Sequence, residues 1–129
     1  MKLKVVILVT SLLAVLLLSG CISKLRPELL GKWNGEAITS EGTESFVFDI
    51  KIQVGSRFSG ELSQGKQVMG PIEGTVSICG KLEILYTNLY EPYKIAFSGS
   101  VSGDLMSGDW ESFKNNISRD TGEWSAHKQ

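Results

Sequence analysis

The chain has 129 residues, with 13 Lys and Arg against 14 Asp and Glu, one histidine and two cysteines. That length accommodates one domain rather than two, and the charge balance leaves no basic cluster for nucleic acid. One histidine and two cysteines are too few for a zinc site of ordinary His/Cys composition, so neither metal nor cofactor is expected.

Residues 1–20 open with Lys2 and Lys4 and continue in an apolar run from Val5 to Leu18, broken by Thr10 and Ser11; they end on Ser19 and Gly20. The run is shorter than the roughly 20 residues of a spanning helix, and the order of its parts is that of a secretory signal. Leu18-Ser19-Gly20-Cys21 resembles a bacterial lipobox. The resemblance implies cleavage between Gly20 and Cys21 and acylation of the Cys21 sulfur, which attaches the chain stably to a membrane when two or more acyl chains are present. Ile22 stands where an inner-membrane retention signal carries Asp. The expected location is therefore the outer membrane, facing the periplasm, in a host with two membranes, and the cell surface otherwise. The chain divides into a signal peptide (1–20), a lipid-anchored tether (21–30) and a β-barrel domain (31–129). Loss of Lys2 and Lys4 leaves 11 basic against 14 acidic residues, a net charge of −3. With Cys21 acylated, Cys79 has no internal partner and reads as a small, inert strand residue, with intermolecular pairing or thiol chemistry as the alternative.

From Gly31 onward the dominant period is two, and no long amphipathic helix is present. The clearest strand runs from Phe46 to Val54: its even-numbered residues are apolar, while Asp49, Lys51 and Gln53 alternate with them. Eight strands are predicted, at 32–39, 45–54, 57–63, 71–79, 81–87, 93–101, 105–113 and 121–128, with Pro71 and Pro92 bounding strands. Tight glycine turns at Gly55, Gly80 and Gly103 alternate with longer links at 40–44, 64–70, 88–92 and 114–120. In a meander every second connection lies at the same end, which gathers the tight turns at one end and the long loops at the other. The predicted fold is all-β, an eight-stranded antiparallel up-and-down β-barrel, because closure removes exposed edges. Both chain ends fall at the tight-turn end.

A pattern of apolar, any residue, Gly, polar, apolar recurs around Gly35, Gly60, Gly74, Gly99 and Gly108. Each glycine shares a face with its apolar neighbours and so points inward. Two explanations stand: the wall needs missing side chains where it bends and bulky residues cross, or the gaps leave room for a ligand. An eight-stranded interior either just fills with side chains or holds one small molecule. Inward residues at the tight-turn end include Trp33, Ile52, Val54, Phe58, Ile78 and Leu82. Those near the mouth are Phe46, Phe48, Tyr86, Ile95, Trp110 and Trp124, the candidate ligand-binding set. Almost no inward polar group is expected, so the ligand would be apolar or aromatic.

Gly31-Lys32-Trp33 resembles the G-x-W opening of the first strand in the calycin-like barrels, the lipocalin and avidin group. The resemblance implies that Trp33 plugs the closed end and that the open end binds a small molecule. It does not extend to a set of inward polar contacts for biotin, nor to a C-terminal helix. In size and location the chain is also similar to small envelope barrels that inhibit metalloproteases through an N-terminal arm, here residues 22–30.

The remaining polar residues point to no catalysis. His127 alternates outward near the C-terminus, and Asp109 and Glu111 project from one outer face, with Asp104 and Asp120 as further carboxylates. Acid–base or Ca²⁺ chemistry needs a cleft or convergent oxygens that an outer wall does not offer. Asn116-Ile117-Ser118 forms a glycosylation sequon on a loop. The expected function is non-enzymatic: a lipid-anchored envelope barrel binding an apolar small molecule in its mouth, or an envelope protein through exposed residues such as Tyr90 and Met69. A protease inhibitor and a purely structural envelope protein are the alternatives.

Overall fold

Period-two alternation builds eight strands over residues 25–129, the part of the chain that the computed structural model describes. They are β1 (Gly31–Thr39), β2 (Gly42–Val54), β3 (Arg57–Gln64), β4 (Gln67–Val76), β5 (Lys81–Thr87), β6 (Tyr93–Ser102), β7 (Leu105–Lys114) and β8 (Ile117–Lys128). Each strand pairs antiparallel with the next, and β8 pairs back onto β1 from Trp33↔Lys128 to Ala37↔Trp124. The result is a closed eight-stranded antiparallel barrel, as predicted.

The predicted alternation of loop lengths does not hold. The mouth-end connections are residues 40–41, 65–66, 88–92 and 115–116, and the base-end ones are 55–56, 77–80 and 103–104. The strands run on through polar residues that the sequence pattern assigns to loops. At 115–116 both asparagines take positive φ, 55° and 62°, the geometry of a two-residue hairpin turn whose twist matches the strands. Only 88–92 remains a loop at the mouth. Pro71 lies inside β4, one residue before its pairing with β5 begins at Ile72.

Three β-bulges interrupt the ladders, in β2, β4 and β8, and the first corrects the predicted inward set. In β2 the register with β3 shifts between Ile50 and Ile52, leaving Lys51 as the extra residue. Such an insertion reverses which side chains face inward. Gln53 therefore turns in opposite Phe58, while Ile52 and Val54 point out, 59% and 74% exposed. Ile78, predicted inward at the end of a strand, sits exposed in the β4–β5 turn because β4 stops at Val76. Cys79 lies in that same turn and is disulfide-bonded, which replaces the reading of a lone strand thiol. The other cysteine of the sequence, Cys21, lies outside the described residues.

The base is closed by the chain segment that enters it. Leu29 is fully buried beneath the barrel, and its carbonyl accepts a hydrogen bond from Trp33 Nε1 at 2.8 Å. The inward Gln53 carboxamide clamps the same segment: Nε2 donates to the Pro27 carbonyl at 2.8 Å, and Oε1 accepts from the Leu29 amide at 2.7 Å. Across the middle, Phe46, Phe48, Phe97 and Trp124 pack with ring centroids 4.8–5.8 Å apart, mostly tilted or edge-on, the preferred aromatic geometry. Below them Ile50, Phe58, Val76, Leu82 and Met106 fill the interior. The lower and middle barrel is packed.

The glycines explain how such bulk fits. A side chain on Gly35 would strike the Phe46 ring, and one on Gly74 the Phe58 ring. At Gly60, Gly99 and Gly108 it would strike the backbone of the neighbouring strand. Trp124 reaches across this close approach, and its Nε1 donates to the Ser98 carbonyl at 3.1 Å.

Candidate functional site at the barrel mouth

Above the aromatic layer the barrel opens into a cavity of about 350 Å³. Its floor is aromatic, from Phe46, Phe97 and Trp110, and Ala37, Leu62 and Ile95 form apolar wall. Trp110 is fixed by its own hydrogen bond, Nε1 donating to the Ile38 carbonyl at 3.2 Å. Toward the rim the lining turns polar: Glu44, Gln64, Ser112, Arg119 and Asp120. Ser112 is buried, 3% exposed. Asp120 accepts from the Thr121 amide at 2.9 Å and, more weakly, from the Ser40 hydroxyl at 3.5 Å. Arg119 owes its place to the third bulge, since Ser112 pairs with Asp120 and Phe113 with Ser118, leaving Arg119 extra.

A second recess of about 450 Å³ adjoins the first, sharing Glu44, Leu62, Gln64, Tyr93 and Ile95. It adds Met69, Tyr86, Asn88, Glu91 and Lys114, so the mouth is one two-lobed cleft. Tyr86 donates its hydroxyl to the Met69 carbonyl at 3.2 Å and meets Tyr93 edge-on at 6.5 Å. Burial, chiefly, pushes the Tyr86 phenol above its ordinary pKa of 10.0, with Tyr93 and Glu91 adding to the rise and Asn88 opposing it. At neutral pH this residue is therefore a neutral donor in the cleft wall.

The six residues of the predicted ligand set divide between two levels. Phe46, Ile95 and Trp110 line the first lobe, and Tyr86 and Ile95 the second. Phe48 and Trp124 lie lower, their rings 5.8 Å apart in the packed layer, and face neither lobe. Trp33 lies at the opposite end against Leu29. Gly20 and Cys21 fall outside the described residues. Met69 packs partly buried against the core rather than standing free, whereas Tyr90 is 93% exposed on the 88–92 loop. Asp109 and Glu111 sit on β7, where Glu111 accepts the Ser118 hydroxyl at 2.7 Å. Asp104 is in the base turn 103–104 and Asp120 at the mouth, so these carboxylates do not converge.

No protein-family model and no curated protein matches the chain. Among solved structures, it is similar to a shwanavidin variant in complex with biotin, at 16% sequence identity and a TM-score of 0.53, over 80% of this chain and 99% of that one. The shared feature is the fold. It is that of an avidin-like eight-stranded barrel, in line with the expected calycin-like architecture.

Sequence reading missed the polar rim, and the expectation of an almost wholly apolar interior is corrected. Glu44 pairs with Ala37 on the same face as Phe46, Gln64 follows Leu62, Ser112 follows Trp110, and Asp120 precedes Gly122 and Trp124. Extending the even-numbered parity of β2, β3 and β8 past their predicted ends finds Glu44, Gln64 and Asp120, and Ser112 lies at inward parity within the predicted strand 105–113 itself. Arg119 has no such signal, because a bulge displaces it from the parity.

Proposed function

We propose that the protein is a non-enzymatic envelope barrel that holds a small molecule with an apolar or aromatic body in its mouth. The observation that carries this reading is the cavity of about 350 Å³, with its aromatic floor and a polar rim that includes Ser112, Gln64 and Arg119. Ligand cavities fall at about 300–1,000 Å³, mostly apolar with a few polar groups that fix orientation. An amphiphile fits such a lining better than a hydrocarbon, because a hydrocarbon packed over the buried Ser112 hydroxyl offers it no hydrogen bond. The avidin-like neighbour, a biotin complex, supports small-molecule binding by a barrel of this fold. A protein partner is less well served, since three of the four mouth connections are two-residue turns.

Attachment to a membrane through an acylated Cys21 completes the reading and rests on the Leu18-Ser19-Gly20-Cys21 motif. The Cys79 disulfide names its competitor. The sequence has two cysteines, and a Cys21 sulfur joined to Cys79 could not carry a lipid thioether, so acylation of Cys21 requires Cys79 to bond to a second chain or to be reduced. A protease-inhibiting arm over residues 22–30 is disfavoured, because Gln53 clamps Pro27 and Leu29 to the base and Leu29 is buried there.

Native mass spectrometry of residues 21–129, exported from the native host behind a signal peptide without a lipobox, tests the cavity. A discrete co-purifying mass, released by denaturing extraction, is expected. A clean apo mass that takes up no added amphiphile or hydrophobic dye refutes the reading.

A further inference from the structure

The two ends of the barrel differ in charge as well as in shape. Around the base stand Arg26, Lys32, Arg57, Lys81 and Lys128, with Glu28 and Asp104, and with Asp49 opposite Lys32 and Glu83 in the same cross-strand row as Arg57. That gives the base a net charge of +1, while the rest of residues 25–129 carries 5 basic and 10 acidic side chains, a net charge of −5. The basic residues come from four strands and the entering segment, while the β6–β7 turn carries Asp104 instead. Lys32 and Lys128 belong to β1 and β8, Arg57 opens β3, and Lys81 opens β5. Arg26 reaches the β2–β3 turn, its guanidinium 3.7 Å from where a side chain on Gly55 would begin.

Apolar side chains stand exposed among these cations. Val54 is 74% exposed beside the β2–β3 turn and Leu25 is 81% exposed on the entering segment; Ile78 and Leu105 are about half exposed at the other two base turns. The β2 bulge is what turns Ile52 and Val54 outward. The segment outside the described residues also joins the barrel here, at Leu25.

From this coincidence of positive charge, apolar tips and chain entry we infer that the base of the barrel docks onto an anionic lipid surface. The Lys and Arg side chains meet lipid headgroups, the apolar tips enter the interfacial layer, and the acidic remainder and the mouth face away. The inference rests on the membrane location proposed above but not on acylation, because the base contributes the attraction itself. Basic residues at an anionic surface act additively and are weakened by salt.

The test uses residues 21–129 without an acyl chain, which contain all eight strands and the whole described core. Co-sedimentation is measured with vesicles of neutral phosphatidylcholine, and with the same vesicles containing phosphatidylglycerol. Binding is expected only to the anionic vesicles at low salt, with loss at high salt. Arg57→Glu combined with Lys81→Glu should weaken it by roughly tenfold or more, and Val54→Ser combined with Ile78→Ser should weaken it as well. Lys66→Glu combined with Lys94→Glu, at the mouth and outside both lobes of the cleft, should leave binding unchanged. Far-UV circular dichroism of each variant separates lost binding from lost fold. Absence of binding to anionic vesicles, or equal loss from the mouth and base variants, overturns the inference. A base variant that instead changes the oligomeric state also overturns it, by assigning the surface to a second copy of the chain. Ligand capture in the mouth, read by native mass spectrometry, stays intact in the base variants, so the two readings fail separately.

Discussion

Replacing Gly108 and Gly35 separately by alanine asks whether the inward glycines serve the wall or the cavity. At Gly108 an added methyl would strike the Ser98 carbonyl oxygen and stand 2.5 Å from the Gly99 Cα, so β6 and β7 must part. Overpacking costs about 1–3 kcal/mol, and shifting the Ser98 carbonyl also strains its bond from Trp124 Nε1, worth about 1 kcal/mol. A loss near 3 kcal/mol lowers the melting temperature of a domain this size by roughly 10–25 °C. At Gly35 the obstruction is the ring edge of Phe46, which has the mouth cavity above it to move into. A cost of about 1–2 kcal/mol is expected there, partly offset by about 0.5–1 kcal/mol from replacing a strand glycine. Thermal unfolding followed by circular dichroism should place Gly35→Ala within about 5–8 °C of the parent and Gly108→Ala far below it. Gly35→Ala should also lose the co-purifying ligand, because Phe46 then occupies the cavity. A Gly108→Ala protein that melts with the parent would refute the close approach of β6 and β7.

Ser112→Leu removes the buried hydroxyl and fills the first lobe, so ligand capture in native mass spectra should disappear while the melting temperature changes by only a few degrees, about 1 kcal/mol or less. Leu29→Ala empties the fully buried site beneath Trp33 and should cost about 2–5 kcal/mol in denaturant unfolding. Because the folded Tyr86 pKa is raised, the stability it contributes is present below pH 10.0 and falls as pH rises through the folded value; Tyr86→Phe should remove that alkaline loss in pH-dependent unfolding. Intact mass of the mature full-length product decides the chemistry of Cys21, with added acyl mass expected; a mass lower by two hydrogens, restored by reduction, would assign its sulfur to the Cys79 disulfide instead.

The barrel was legible because its strands obey one rule, period-two alternation broken by glycine and asparagine turns. The rule placed Trp33, Phe46, Phe58, Tyr86, Trp110 and Trp124 inside correctly, and all are buried. It failed wherever one residue was inserted into a ladder. Nothing in Ile50-Lys51-Ile52 announces that Lys51 is extra, so Ile52 and Val54 read as core although they face solvent. The mouth was misread for a different reason. Polar residues at strand ends resemble loops, yet backbone pairing continues through Glu44 and Gln67, and inward parity continues with it. Depth along the barrel has no sequence signature either, which is why Phe48 and Trp124 were grouped with rings that line the mouth.

The bulges and the aromatic layer together divide the barrel into parts that can change independently. Phe46, Phe48, Phe97 and Trp124 close the middle, so no continuous channel joins mouth to base. Below them, the β2 bulge sends Gln53 inward to hold Pro27 and Leu29 and sends Val54 outward beside Arg57. Above them, the β8 bulge brings Arg119 to the rim, next to Asp120 and opposite an aromatic floor. Each insertion acts on one end and leaves the packed layer in place, because parity reverses only beyond the bulge. A ligand at the mouth and a lipid surface at the base would therefore be recognised by separate sets of residues, with the rigid aromatic layer holding both in fixed relation.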